Sequence, residues 1–280
     1  MRVAVLMGGR SAEREVSLAS GVQVARALRE AGHRVSAVDT VEGVLERGRE
    51  EELLERGVGS APPEPEAGRD GGAPELLDVV ALPEVVGADV VFPALHGGAG
   101  EDGTLQAVLE VAGVRYAGSG PLGCGLAMDK DVSKRLFRQA GVPTADWRMA
   151  PPTEAPDPAV LEELGRPTVV KPAAGGSTLG LTLVREASEL DRAVERARRF
   201  DDEVMLEAFT AGREITVGVL ADRPLAVGEI VPEHEIFDYA CKYQPELARE
   251  VFPAGIPDRA ADRARELALA VHRALKLEGF

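Results

Sequence analysis

The sequence predicts an α/β protein: a parallel sheet covered on both sides by helices, followed by smaller α+β portions. Three observations carry that expectation. Through the first 118 residues, short apolar runs of strand length alternate with stretches whose apolar residues recur every three or four positions. Glycines stand at the strand-to-helix crossings, where α/β proteins keep ligand-binding groups. Beyond residue 200 the apolar runs follow one another with hairpin-like connections, the pattern of an antiparallel sheet.

Residues 3–7 are apolar throughout, as in a strand buried on both faces. Gly8 and Gly9 turn that strand into a helix with Leu18, Val22, Ala25 and Leu28 on one face, and Gly32 ends it. Residues 34–39 read as a second strand and 88–95 as a third. Between them, 46–83 are rich in Glu, Gly and Pro, and their middle reads as a partly mobile surface loop. The third strand runs into PALHGGAGEDGTLQ (93–106), four glycines around a histidine and two acids, and Leu105, Val108, Leu109 and Ala112 then recur at helical spacing.

After residue 118 the expected order is a helix over 128–140, a strand at 168–171, a glycine-rich turn, a strand at 181–184, and a helix bearing Leu190, Ala193, Val194 and Ala197. Strand-like runs at 203–209, 214–220 and 225–231 suggest one antiparallel sheet. A last helix, with Asp258 as its expected N-cap, carries Ala264, Leu267, Ala268, Val271 and Leu275 on one face.

Composition excludes several classes. Acids outnumber bases 47 to 32, a net charge of −15, so no basic surface invites nucleic acid or anionic lipid. No apolar run approaches the ~20 residues a membrane span needs. Cys124 and Cys241 lack metal-ligand or redox spacing and read as reduced, structural residues of a cytoplasmic protein. Only five bases are lysines: Lys130, Lys134, Lys171, Lys242 and Lys276. Biased base composition in the gene explains that imbalance as well as function does.

The segment VVKPAAGGSTLGL (169–181) holds the chemistry most open to reading. Lys171 ends a strand, Pro172 fixes the exit, and Gly175, Gly176, Ser177 and Thr178 are small enough for backbone amides to approach phosphate oxygens. That is a nucleotide lid, or a β-hairpin with a glycine turn. It is neither a Walker loop nor Gly-x-Gly-x-x-Gly.

Five segments, in order, are GGRSAEREVSLASG (8–21), HGGAGEDGTLQ (96–106), MDKDVSK (128–134), VVKPAAGGSTLG (169–180) and FDYACKY (237–243). Together they resemble the D-alanine:D-alanine ligases of the ATP-grasp superfamily, over essentially the whole chain. The resemblance implies a Rossmann-like substrate domain at 1–118, a central ATP-grasp subdomain at 119–207 and part of a C-terminal ATP-grasp subdomain at 208–280. It also implies ATP-dependent joining of two D-alanines through an acyl phosphate for peptidoglycan synthesis, by a cytoplasmic homodimer. Glu15 matches the glutamate that holds the first D-alanine's ammonium, and His96 the histidine beside it. Lys130 and Lys171 match the lysines that bracket ATP phosphates. Gly176 and Ser177 belong to the lid, Glu207 to the adenine end and Glu214 to the ribose, with Phe209 also among the ATP-binding residues. Lys242 and Tyr243 match the Lys-Tyr pair of a loop covering the site, spanning 232–251 here. Glu15, Ser177 and Tyr243 form the family's catalytic set, and Tyr243 favours D-alanine as acceptor, since relatives making D-alanyl-D-lactate lack it.

Blander readings stand beside these. Glu15 suits a helix N-terminus, His96 a structural strand end, Lys130 and Lys171 a solvated surface, and Glu207 and Glu214 a hairpin's outer face. The family's magnesium ligands would lie beyond Phe280, so none is assigned, and the 280 residues alone are expected to form no dipeptide. The alternatives are a non-catalytic nucleotide-binding relative and a ligase with D-serine or D-lactate as acceptor. Residues 174–180 and 232–251 are expected to be mobile without ligand, being poor in apolar anchors.

Overall fold

A computed structural model describes residues 1–59, 73–244 and 246–279. The chain divides into two compact units, one of residues 1–125 with 276–280 and one of residues 126–275.

In the first unit the elements are β1 (Arg2–Met7), α1 (Arg14–Glu30), β2 (Arg34–Asp39), β3 (Gly43–Val44), α2 (Arg47–Arg56), α3 (Ala73–Val80), α4 (Pro83–Val86), β4 (Val90–Pro93), α5 (Thr104–Val111) and the first residues of α6 (Pro121–Met128). The sheet order is β3-β2-β1-β4, with β1 parallel to both β2 and β4. Because side chains alternate along a strand, β1 feeds two cores. Ala4 and Leu6 join Val38, Val91, Leu105 and Leu109 on one face. Val3, Val5 and Met7 join Leu18, Val22 and Ala25 of α1 on the other. The parallel sheet covered on both sides is therefore as expected. Gly21 lets α1 settle onto β1, since a Cβ there would lie 2.5 Å from the Met7 Cβ.

The stretch 46–83 differs from its expectation. Its middle, 60–72, lies outside the described residues, but α2 and α3 occupy its flanks. On α2, only Glu50 and Leu53 are buried, and the Glu50 carboxylate accepts from Arg29 at 2.8 Å. Leu76, Val79 and Val80 of α3 are core residues. The unit is completed from far along the chain: Ser119 Oγ donates to the Glu278 carbonyl and accepts from the Glu278 N–H, both at 3.0 Å.

The second unit contains α7 (Lys130–Gln139), β5 (Trp147–Met149), α8 (Val160–Leu164), β6 (Thr168–Pro172), β7 (Thr182–Val184), α9 (Leu190–Arg198), β8 (Val204–Ala208), β9 (Glu214–Leu220), β10 (Arg223–Pro232), α10 (Tyr239–Tyr243), β11 (Ala248–Val251) and α11 (Asp258–Ala274). It has two antiparallel sheets, β5-β8-β6-β7 and β11-β10-β9. The run at 203–209 is thus not the first strand of a three-strand hairpin sheet. Its β8 pairs with β6, Val169 opposite Glu207, and with β5. Leu190, Ala193, Val194 and Ala197 of α9 are all buried against Val170, Val184 and Leu206, as their helical spacing predicts. Burying side chains such as Leu190 and Val194 contributes about 1.5–3 kcal/mol each. Asp258 is the first residue of α11, not its cap: Pro257 holds the cap position, with no side-chain capping bond. Asp258 still favours the start of the helix, through the dipole.

Candidate functional site

In the first unit, the β1–α1 and β4–α5 crossings form a cleft lined by Gly8, Gly9, Ser11, Leu95, His96 and Gly100. The Ser11 hydroxyl donates to the His96 carbonyl. Gly97, at φ +69°, donates its N–H to Glu101 at 2.8 Å. Glu13, the cap residue of α1, is 6% exposed, and a Cβ on Gly97 would lie 2.9 Å from its Oε2. Burial pushes the Glu101 carboxyl up, against the Gly97 N–H, and the Glu13 carboxylate adds to the rise. Two acids and His96 thus gather where the glycine-rich segment crosses from strand to helix.

Glu15 does not join them. Its carboxylate accepts from Arg56 at 2.6 Å and from the Gly59 N–H at 3.0 Å, and its side chain is 41% exposed. The reason is positional: Glu13 precedes the helix as its cap, whereas Glu15 lies inside the first turn, and residues two apart do not share a direction. Glu13 is the acid of this segment that the sequence reading passed over.

In the second unit, β6, β8 and α7 bring three charged side chains together. Glu207 accepts from Lys171 at 2.5 Å through one oxygen and from Lys134 through the other. Lys134 also donates to Thr144 Oγ1 at 2.7 Å and lies 5.0 Å from the Trp147 ring centroid. Lys134 is one of the five lysines of the sequence and shares MDKDVSK with Lys130, but the resemblance gave it no role. Lys130, one turn earlier, donates to the Ala173 and Gly175 carbonyls at 3.1 and 2.9 Å, which sets it against the glycine-rich turn. Phe209 follows β8 and is half-buried, while Glu214 opens β9 and is exposed.

That turn is built under tension. Ser177 and Thr178 both have positive φ, +51° and +59°, a conformation that is an outlier for a β-branched residue. Two side-chain bonds hold it: Ser177 Oγ to Tyr243 Oη at 2.6 Å, and Thr178 Oγ1 to the Phe237 carbonyl at 2.9 Å. Gly176 is exposed, with Ser177 buried behind it. The loop from β10 to β11 is better anchored than its composition suggests, because Tyr239 and Cys241 of α10 are 6% and 3% exposed and the Tyr239 and Tyr243 rings lie 4.6 Å apart. Lys242 Nζ lies 5.5 Å from the Phe237 ring centroid.

Burial, together with the Lys171 charge, pulls the Lys130 ammonium down to about 8 from 10.5. Between those values the unfolded chain binds the extra proton, so Lys130's contribution makes stability rise with pH across that window. Phosphate oxygens would reverse the shift. Binding of ATP above about pH 8 should therefore be accompanied by proton uptake, abolished in Lys130→Met; calorimetry in buffers of different ionisation enthalpy measures it. Proton-neutral binding would separate Lys130 from the phosphates.

Magnesium requires oxygen ligands in near-octahedral array. Among the described residues the one cluster of three possible metal ligands is His234, Asp238 and Cys241, a donor set that does not fit that ion. No helix among the described residues is long and apolar enough to cross a membrane.

Comparison with known proteins bears on both units. A family model of the D-ala D-ala ligase N-terminus matches residues 2–119, and one of the D-ala D-ala ligase C-terminus matches residues 136–280. The chain is 39% identical over 279 residues to the D-alanine–D-alanine ligase of Geobacter sulfurreducens, covering 100% of this chain and 77% of that one. It is 41% identical over 278 residues to that of Acidiphilium cryptum, covering 99% and 80%. Among solved structures, the D-alanine–D-alanine ligase of Bacillus anthracis complexed with ATP superposes with a TM-score of 0.74 at 29% identity, over 100% of this chain and 79% of that one. The VanG D-Ala:D-Ser ligase of Enterococcus faecalis gives 0.75 at 30% identity, over 99% and 83%.

Proposed function

We propose, since the chain belongs to the D-alanine–D-alanine ligase family, that it joins two D-alanines at the expense of ATP. A carboxylate oxygen of the first D-alanine attacks the γ-phosphorus and ADP leaves, forming an acyl phosphate. The amine of the second D-alanine attacks the acyl carbon, loses a proton and expels phosphate. The product supplies peptidoglycan synthesis, and the proposed setting is a cytoplasmic homodimer with magnesium accompanying the nucleotide.

The observation that carries this reading is the Ser177–Tyr243 hydrogen bond. An acyl phosphate hydrolyses if water reaches it, so the reaction needs a cover over the phosphate-binding turn. The bond from α10 to the strained Ser177 closes such a cover. Lys171 and Lys130 stand at the end of β6 and against the turn, placed to offset phosphate charge. Glu207 has both oxygens engaged by lysines, yet a carboxylate offers about four acceptor positions, leaving room for an adenine amino group.

The assay is phosphate release with ATP, magnesium and D-alanine, run beside D-serine and D-lactate as acceptors, with products identified by mass. D-Alanyl-D-alanine should dominate, and its formation by residues 1–280 alone would overturn the expectation that they form no dipeptide. ATP hydrolysis without dipeptide would favour the non-ligating alternative, and a dominant mixed product would move the acceptor assignment.

For the first D-alanine, we assign the ammonium to Glu13 instead of Glu15, because a buried carboxylate beside His96 and Glu101 is where a charge-assisted bond gains most. Glu13→Gln should weaken D-alanine binding by about 10- to 150-fold, equivalent to the ~1.5–3 kcal/mol of a hydrogen bond to a charged group. Glu15→Gln should change it less than about threefold. The reverse ranking, with both variants folded, returns the role to Glu15.

A further inference from the structure

The loop that carries Tyr243 holds a group of donors with no part in ligation. His234, Asp238 and Cys241 each offer one ligand atom, and the three atoms lie within 4.8 Å of one another. Their arrangement is fixed by the chain itself. One Asp238 oxygen caps α10 by accepting the Cys241 N–H at 2.9 Å, and the other meets His234 Nδ1 at 2.8 Å. The thiol is not in a disulfide and is buried, while the His234 and Asp238 side chains are 43% and 35% exposed and leave an entry from solvent.

We propose that His234, Asp238 and Cys241 bind a zinc-class divalent cation on the segment that positions Tyr243. In a tetrahedral site, bonds of about 2.0–2.3 Å to nitrogen, oxygen and sulfur place neighbouring ligand atoms about 3.3–3.8 Å apart. The three donors reach that spacing by shifts of roughly 1 Å or less, with the His234–Asp238 pair opening slightly to admit the ion. Thiolate and imidazole select a soft or borderline ion over magnesium. The Cys241 thiol releases its proton to solvent on binding, and the fourth position is left for water. The bound ion ties residue 234 to α10, two residues before the hydroxyl that holds Ser177.

The test needs no ligase activity, so it stands or falls apart from the proposed reaction. The whole chain is titrated with Co²⁺ as a spectroscopic probe, then with Zn²⁺ in competition, in excess magnesium. The expected result is one Co²⁺ per chain with a thiolate-to-metal charge-transfer band, displaced by Zn²⁺. That band should be unchanged in Cys124→Ala and absent in Cys241→Ala, with affinity lowered more than about tenfold in His234→Gln. Hydrogen exchange over 234–243 should slow when Zn²⁺ is bound. His234 is exposed, so its variant keeps the fold even if Cys241→Ala does not. Absence of the band, its survival in Cys241→Ala, or full affinity in His234→Gln overturns the proposal.

Discussion

Replacing Glu207 with alanine should destabilise the second unit by about 3–5 kcal/mol, the loss expected when one partner of a buried ion cluster is removed. Lys134 and Lys171 have side chains only 8% and 19% exposed, against 15% for Glu207. Without the carboxylate, two neighbouring ammonium groups would stay out of water with no counter-charge between them. Burial works to raise the Glu207 carboxyl, but the Lys171 charge and the hydrogen bonds from Lys134 and Lys171 outweigh it and hold it below its usual value. The folded value is thus lower than the unfolded one, and the stabilisation is complete above about 4.5 and fades as pH falls through the folded value. Urea unfolding at neutral pH and near pH 4 measures both effects. A loss under about 1 kcal/mol would mean that water already reaches the lysines.

Gly103→Ala should disrupt the first unit by about 2–5 kcal/mol, from roughly 1–2 kcal/mol of backbone strain and an overpacking penalty of about 1–3 kcal/mol. Gly103 caps α5 at φ +95°, and an added Cβ would lie 2.3 Å from the Pro121 carbonyl oxygen. Backbone cannot turn aside as a side chain can. Gly113→Ala is the matched control: its φ is +70° but nothing lies within 4 Å of the added carbon, so only about 1–2 kcal/mol of conformational strain applies. Equal losses in the two variants would exclude the Pro121 contact as the cause.

Where local pattern decides structure, the sequence was legible. A continuous apolar run announced β1, and four apolar positions at helical spacing announced α9. The helix α2 escaped because its inward face consists of Leu53 and a paired Glu50, an ion pair with Arg29 in place of an apolar stripe. The misassigned β8 shows another limit: three successive strand-like runs look like a hairpin series, whereas long-range pairing with β6 decides the sheet. Register also hides chemistry. Lys130 and Lys134 are one turn apart on α7, and only the placement of Glu207 opposite Val169 separates a lysine at the turn from a lysine in the cluster. Glu13 and Glu15 flank one arginine, and the start of the helix, which pattern fixes only within a few residues, decides which acid faces inward.

The bond between Ser119 and Glu278 also sets a timetable. Its partners are 159 residues apart, and at about 5–20 residues per second the ribosome delivers the second on the order of 10–30 s after the first. The sheet β3-β2-β1-β4 can assemble early from contiguous chain, but the Ser119 hydroxyl must meanwhile be satisfied by water. Closure of this unit is therefore expected only after residue 278 has been made and has left the ribosome. Nascent chains arrested before residue 276 should be cleaved by protease near Ser119, and chains that present residues 276–279 clear of the ribosome should not.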